Sequence, residues 1–131
     1  MKSIVPTIMV DNCREAIEYY RKVFGGELKS VMTGEVNEMF KGHESKIIHA
    51  ELHVNETCVL FFGDPFEEIK EGNRFGVLLN LDSEEEINRL YKDLLEDRKP
   101  LMELQKTFWG ALFAVVKDRY RVTWSLNYTL G

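Results

Sequence analysis

The stretch KIIHAELHV, residues 46–54, carries two imidazoles and a carboxylate at alternate positions. Successive side chains of a β-strand point to opposite faces of the sheet, so in a strand His49, Glu51 and His53 share one face. Imidazole and carboxylate groups act as metal ligands and as acid–base or hydrogen-bonding pairs. The stretch therefore predicts a metal site, a ligand pocket, or a polar face that is solvated or contacts a second subunit.

Spacing favours a ligand pocket over a metal site. Neighbours two apart on one strand lie about 6–7 Å apart, which is wide for ligands that share one ion. A carboxylate beside an imidazole can instead fix its tautomer or charge. We predict that His49 and Glu51 contact a ligand, and that His53, nearer the end of the strand, is idle. The metal site and the plain polar face stay open.

A second candidate is the aromatic stretch TFWGALF, residues 107–113. Trp109 precedes Gly110, so a large flat ring lies beside a backbone that a ligand can approach closely. Trp109 is therefore predicted either as a wall of an apolar ligand site or as a core residue. Trp124, flanked by Val122 and Leu126, is predicted to lie in the core.

Four further residues have side chains that could be reactive, but we expect structural roles for them. Asp64 follows a strand and precedes Pro65; a capping or turn role is expected, and a place at the mouth of the cavity is the alternative. Cys13 and Cys58 have no metal or redox spacing and are expected to be buried, reduced thiols of a cytoplasmic protein. His43, in a polar loop, is expected to be exposed.

Composition excludes several classes of function. The chain has 131 residues, 44% of them apolar and 30% charged, as expected for one globular domain. A net charge of −5, with basic and acidic residues mixed, argues against nucleic acid or an anionic membrane as partner. The apolar stretch at the N-terminus is too short, and too interrupted, for a signal peptide or spanning helix.

One pattern occurs twice in the chain. Residues 8–26 and 79–97 align with apolar residues at the i, i+3, i+4, i+7 and i+8 positions of an amphipathic helix. Asp11 and Asn12 are expected to cap the first helix, and Ser83 with Glu86 has capping-box spacing in the second. Strand-like runs lie at 3–10, 28–33, 47–54 and 57–63 in the first half, and at 75–81, 100–104, 111–116 and 121–128 in the second.

Both halves thus read β-α-β-β-β. The predicted fold class is α+β, a single domain with module one at 1–64, a polar joint at 65–74 and module two at 75–131. Each half alone would be marginal in size. We expect the two modules to share one curved, mostly antiparallel sheet, with both helices on one face.

This arrangement resembles the vicinal oxygen chelate superfamily, the fold of glyoxalase I, extradiol dioxygenases and bleomycin-resistance proteins. The sequence is most similar to its PhnB-like branch, through REAIEYYRKVFGGEL (14–28), HAEL (49–52), LNLDSEEE (79–86) and TFWGALFAVVKDRYRVTW (107–124). A methyltransferase activity, sometimes attributed to PhnB-like proteins, is not supported, because no glycine-rich loop follows a strand.

The resemblance also implies where a divalent metal would be bound. Carried over to this chain, the ligand positions fall at Val5, Leu60, Gly76 and Ser125, with a possible slip of one residue. Because these stretches contain no His, Asp or Glu, we expect neither the usual metal site nor another cofactor. Arg121 stands where relatives carry glycine, which puts that turn in question. The family also implies a homodimer.

The leading hypothesis for function is a metal-independent, glyoxalase-like protein that binds a small organic molecule through His49, Glu51 and Trp109. A first alternative is a lyase, isomerase or dioxygenase with a non-standard metal site that uses His49 and Glu51. A second alternative is a non-catalytic interaction or scaffolding module. Fold does not decide among them.

Overall fold

A computed structural model describes all residues, 1–131, and divides them into two compact units, Met1–Glu71 and Gly72–Gly131. The division falls inside the joint predicted at 65–74. Neither helix has the length and apolarity needed to cross a membrane. The elements of the first unit are β1 (Thr7–Met9), α1 (Cys13–Phe24), β2 (Glu27–Thr33), two 3-10 turns (Gly34–Val36 and Glu38–Phe40), β3 (Ile47–His53) and β4 (Val59–Gly63). Those of the second are β5 (Val77–Asn80), α2 (Glu84–Leu95), β6 (Met102–Lys106), β7 (Ala111–Lys117) and β8 (Thr123–Thr129).

The predicted repeat is confirmed by strand order. The first sheet runs β1-β4-β3-β2 and the second β5-β8-β7-β6, so equivalent strands occupy equivalent places. Each sheet contains one parallel pair of strands and two antiparallel pairs. The fold class is therefore α+β with two β-α-β-β-β modules. Backbone hydrogen bonds form one four-stranded sheet in each unit, where the sequence predicts a single sheet.

Each sheet buries one face under its own helix. Helix α1 buries Cys13, Ala16, Ile17, Tyr20 and Val23, and α2 buries Ile87, Leu90 and Leu94. Tyr20 stacks on Phe62 of β4 with ring centroids 5.0 Å apart. The helix stripes were predicted closely, because a period of 3.6 residues in apolar side chains marks the face that packs on a sheet.

Strand β1 is shorter than predicted, three residues instead of eight. Proline cannot donate to a strand ladder, so Pro6 stands just before the strand and contributes only its carbonyl, which accepts from Phe61 N–H at 2.9 Å. Strands β4 and β5 also begin two residues later than predicted. These strand ends are therefore set by hydrogen bonding and not by apolar pattern.

The first helix is capped by a residue distant in sequence. Asn12 lies in the left-handed region at φ 54° and its side chain makes no cap; its Nδ2 donates to Glu15. Asp64 instead accepts from Cys13 N–H at 3.0 Å through Oδ1 and from Ile47 N–H at 2.7 Å through Oδ2. The prediction that Asp11 and Asn12 cap this helix is therefore wrong; Asp64, predicted to cap or turn the chain beside Pro65, caps α1 and joins it to β3.

The second helix begins as predicted. Ser83 Oγ accepts from Glu86 N–H at 3.0 Å, and the Glu86 carboxylate reaches back to Asp82 N–H at 2.8 Å. The capping box is therefore confirmed, with its return bond one residue earlier than the usual pattern.

The turn between β7 and β8 keeps a left-handed residue without glycine. Arg121 has φ 68°, and its N–H donates to Asp118 O at 3.0 Å. The buried Asp118 carboxylate accepts from Tyr120 N–H, from Val122 N–H and from Trp124 Nε1. Trp124 is fully buried, as predicted. These bonds hold the turn although Arg121 is strained there.

We predict that Asp64→Asn lowers the free energy of unfolding by about 1–2 kcal/mol, since an amide nitrogen cannot accept one of the two N–H bonds. Asp64→Ala, which removes both acceptors, costs more. Urea denaturation measures both changes. The control is Asp11→Asn, at the exposed aspartate just before the same helix, which changes stability by less than about 0.5 kcal/mol. Equal effects at the two positions would contradict the assignment of Asp64 as the cap.

We predict that Arg121→Gly raises the free energy of unfolding by about 0.5–1 kcal/mol, because glycine adopts positive φ without a steric cost. Arg121→Ala is the matched control, since alanine removes the same side chain and keeps the strain. If Ala and Gly give the same stability in urea denaturation, the backbone at this position is not strained.

Candidate functional site

The face of β3 opposite helix α1 carries the three polar residues singled out by sequence. Ala50 and Leu52 are fully buried beneath the helix, whereas His49, Glu51 and His53 lie half-buried on the other face. The alternation results from the two-residue period of a strand. We call the side of each sheet away from its helix the open face.

On this open face, Glu51 binds both histidines. His49 Nε2 lies 2.8 Å from Oε2 of Glu51, and His53 Nε2 lies 2.7 Å from Oε1. The prediction that Glu51 pairs with His49 is confirmed. The prediction that His53 is idle is wrong, because side chains four residues apart on a strand can both reach a carboxylate midway between them.

These contacts change the acidity of the carboxylate. Hydrogen bonds from His49 and then from His53 lower the pKa of Glu51 below its ordinary value of 4.5. Glu51 is therefore ionised at neutral pH. A neutral imidazole that donates from Nε2 keeps a lone pair on Nδ1. The cluster can thus offer both a carboxylate and imidazole acceptors to a bound molecule.

An aromatic ring lies beside this cluster. Phe61 is the register partner of Glu51 in β4 and of Thr7 in β1, so all three share the open face. The rings of His49 and Phe61 meet edge to face, with centroids 4.7 Å apart and planes at 82°. The open face of the first module thus joins an apolar ring to a charged hydrogen-bonding group.

Register corrects one of the four carried-over metal positions. Leu60 pairs with Leu52 and is buried on the helix side, so the open-face residue of β4 is its neighbour Phe61. In the second module, Ser125 pairs with Leu78 and lies on the open face, between buried Trp124 and Leu126. Phe61 is thus the equivalent of Ser125.

The side chains at these places do not fit a divalent cation. Val5 and Gly76 precede β1 and β5, and the open-face residues that follow them are Thr7, which pairs with Phe61, and Leu78, which pairs with Ser125. Each module thus offers one hydroxyl and one apolar side chain at these places, which is a poor donor set for a divalent ion. No group of three or more His, Cys, Asp or Glu side chains is arranged to hold a metal ion.

Trp109 belongs to the second module, at the turn between β6 and β7. Gly110 N–H donates to Thr107 O at 3.2 Å, and Gly110 has φ 78°. The Trp109 ring is 52% exposed and meets Phe108 and Phe113 edge to face, at 4.9 and 5.5 Å. Trp109 is therefore not a core residue, and its own module provides it with an aromatic cluster.

Two structural expectations are corrected. Cys58 is exposed at the end of a hairpin loop, whereas Cys13 is buried, and burial raises the pKa of the Cys13 thiol to about 12. The lack of metal or redox spacing had suggested two buried thiols, but Cys58 immediately precedes the first residue of β4 and lies in the exposed loop. His43 is half-buried and packs edge to face on Phe66 at 5.1 Å.

Sequence reasoning missed Phe61 and Asp118. Phe61 lies in the apolar run VLFFG, in which alternation is hidden because both faces of β4 carry apolar residues. Asp118 could have been found from its spacing to Trp124, whose indole N–H needs a partner when buried.

Comparisons with known proteins cover nearly the whole chain. Residues 3–126 match the sequence profile of the Glyoxalase/Bleomycin resistance protein/Dioxygenase superfamily. Protein YjdN of Escherichia coli K12 is 28% identical over an alignment of 130 residues. The match covers 88% of this chain and 87% of YjdN.

Two solved structures are similar over their full length. Protein PA1353 from Pseudomonas aeruginosa has 32% identity and a TM-score of 0.80, with 100% of both chains covered. A PhnB protein from Bacillus cereus, described as a putative 3-demethylubiquinone-9 3-methyltransferase, has 23% identity and a TM-score of 0.79, with 98% of this chain and 100% of that chain covered. The strand order, the repeat and these matches agree, and the chain belongs to the glyoxalase/bleomycin resistance protein/dioxygenase superfamily.

Proposed function

We propose that this protein binds a small organic molecule on the open face of its first module, without the metal ion usual in its superfamily. The observation that carries the proposal is the pair of hydrogen bonds from His49 and His53 to Glu51, at 2.8 and 2.7 Å, beside the ring of Phe61. Ligand sites combine apolar surface with a few oriented polar groups, and this face has both.

The roles of the three polar residues follow from their hydrogen bonds. Glu51 orients both imidazoles and keeps their Nε2 atoms engaged, so each Nδ1 is the ring atom left for a ligand. His49 is the proposed contact, because its ring also touches Phe61. A ligand with an O–H or N–H group could donate to Nδ1 of His49 while its apolar part lies on Phe61.

The proposal against a metal is supported by donor chemistry at the family positions, where Thr7, Phe61, Leu78 and Ser125 lie on the open faces. Trp109 is proposed as the ligand-contacting ring of the second module, on the strength of its exposure and its aromatic neighbours. A homodimer and a cytoplasmic location are proposed as well. The two free thiols, Cys13 and Cys58, are in keeping with that location.

We predict that native mass spectrometry of untagged, freshly purified protein shows two 15.3 kDa chains with a retained organic mass. His49→Ala and Glu51→Gln reduce that retention about 10-fold or more, because the first removes an imidazole and the second replaces one of the two carboxylate acceptors by an amide donor. His43→Ala is the matched control, since His43 contacts Phe66 and not Glu51. Elemental analysis of the same samples measures metal.

The alternatives give different results in that experiment. One divalent ion per chain that is lost in His49→Ala would replace the proposal with an enzyme that has a non-standard metal site. Protein that retains nothing, and whose Phe61 and His49 resonances do not move with a fragment library, would favour a scaffolding module.

We also predict a change in the pH dependence of stability. Because the folded state lowers the pKa of Glu51, the ionised carboxylate stabilises the fold above pH 4.5 and loses that effect as pH falls through the lowered pKa. The stability difference between wild type and Glu51→Gln is therefore present above pH 4.5 and shrinks as pH falls below it. Urea denaturation from pH 7 to about pH 3 measures it.

The control for this prediction is Glu56→Gln, at an exposed glutamate in the loop between β3 and β4. Its difference from wild type should stay nearly constant over the same range. A constant difference for Glu51→Gln as well would mean that the histidines do not stabilise its ionised form.

A further inference from the structure

A cleft lies beside the end of β1 in the first module and has no part in the proposal for His49. Its volume is about 500 Å³, and it is lined by Met9 and by five consecutive residues, Pro65, Phe66, Glu67, Glu68 and Ile69. This volume is within the range of small-molecule sites. Its lining pairs apolar side chains with two carboxylates, which is the feature that needs an explanation.

The apolar side chains of the cleft are open to solvent. Met9 is 50% exposed, Phe66 51% and Ile69 40%. Single exposed apolar residues are common on protein surfaces, but several that line one concavity mark a place where another molecule can be bound.

Phe66 is fixed in place by its neighbours. Phe40 stacks on its ring at 5.9 Å, and His43 meets it edge to face at 5.1 Å. Lys46 donates from Nζ to Pro65 O at 2.7 Å, which ties the segment to the start of β3. A wall of the cleft is thus held rigid before any ligand arrives, and this lowers the entropy cost of binding.

Charge at the cleft selects for a cation. Glu67 and Glu68 are exposed, and neither makes a hydrogen bond or ion pair with another residue. Lys46 and Lys70 are the cations nearest in sequence and contact; neither lines the cleft, and the Lys46 ammonium is already engaged by the Pro65 carbonyl. The charged side chains that line the cleft are both carboxylates, so an anionic ligand would be repelled there.

The same region contains a bound ammonium group of its own. Lys46 Nζ lies 5.8 Å from the centroid of the Phe66 ring, within the range of a cation–π contact. The Phe66 ring therefore already interacts with an ammonium group in this fold.

We propose that this cleft binds a small organic cation with an apolar body, of the class of a protonated arylalkylamine. The apolar part lies on Met9, Phe66 and Ile69, and the ammonium group lies at Glu67 and Glu68. This site is independent of the cluster at Glu51 and holds whether or not that cluster binds a ligand.

The test uses two probes that differ in charge and little in shape: 2-phenylethylamine, protonated at pH 7, and the neutral 2-phenylethanol. Both are titrated into the full chain and followed by amide and methyl NMR shifts. We expect the amine to bind about 5-fold or more tightly than the alcohol, with the largest shifts at Met9, Phe66 and Ile69. Added salt should weaken the binding of the amine and leave the binding of the alcohol nearly unchanged.

Variants separate charge from apolar contact. The double change Glu67→Gln and Glu68→Gln should bring amine affinity down to that of the alcohol and leave the alcohol unaffected. The control is Glu84→Gln with Glu85→Gln, an exposed adjacent pair in α2 that changes net charge equally. Phe66→Leu should weaken both probes.

Three results would overturn the proposal: equal affinity for amine and alcohol, an amine affinity that the Glu67/Glu68 change leaves unaltered, or shifts centred on other residues. Concentration-dependent shifts of Phe66 and Ile69 without any probe would likewise overturn it, since they would identify a second copy of the chain as the occupant of the cleft.

Discussion

The structure depends on one constraint, which is that each four-stranded sheet has a single helix with which to bury apolar surface. Twelve residues of α1 and twelve of α2 cover one face each. Strands β3 and β7 consequently have the same order of buried and half-buried residues. Every side chain on the helix side must therefore be apolar and well packed, whereas the open side is free of that demand. Polar and ionisable side chains can be placed on the open face, because the packing of the helix side supplies the stability.

The repeat makes this division visible. The two modules have the same strand order and the same helix length, but their open faces differ. The third and fifth residues of β3 are His49 and Glu51. The third and fifth residues of β7 are Phe113 and Val115. At these two positions the first module presents hydrogen-bonding groups and the second presents apolar and aromatic ones. The shared topology specifies where a ligand-facing side chain stands, and the residue type at each place is left to function.

The two helices and the pairing of His49 with Glu51 were predictable because they depend on the spacing of residues near in sequence. The repeat was predictable because the same helical pattern occurs at 8–26 and again at 79–97. The cap of α1 was not, because the choice of Asp64 over Asn12 depends on a contact across 51 positions. The open-face role of Phe61 was hidden in a run in which both faces are apolar. The Glu96 carboxylate that binds Arg119 at 2.8 Å shows the same limit, since the two residues meet only through the packing of α2 on the β7–β8 hairpin.

Asp64 also affects the order in which the first module can form. Strand β1 pairs with β4, and the N-terminus of α1 and the first residue of β3 are both bound by the residue that follows β4. The elements synthesised first in this module, such as α1, therefore gain their full set of hydrogen bonds only after Asp64 has been added. During synthesis, a chain that stops before Asp64 leaves the backbone N–H groups of Cys13 and Ile47 without their side-chain acceptor. Loop closure over this distance has an entropy cost that must be met before the contacts are gained. The module is thus expected to fold as a unit once Asp64 has left the ribosome, and not strand by strand.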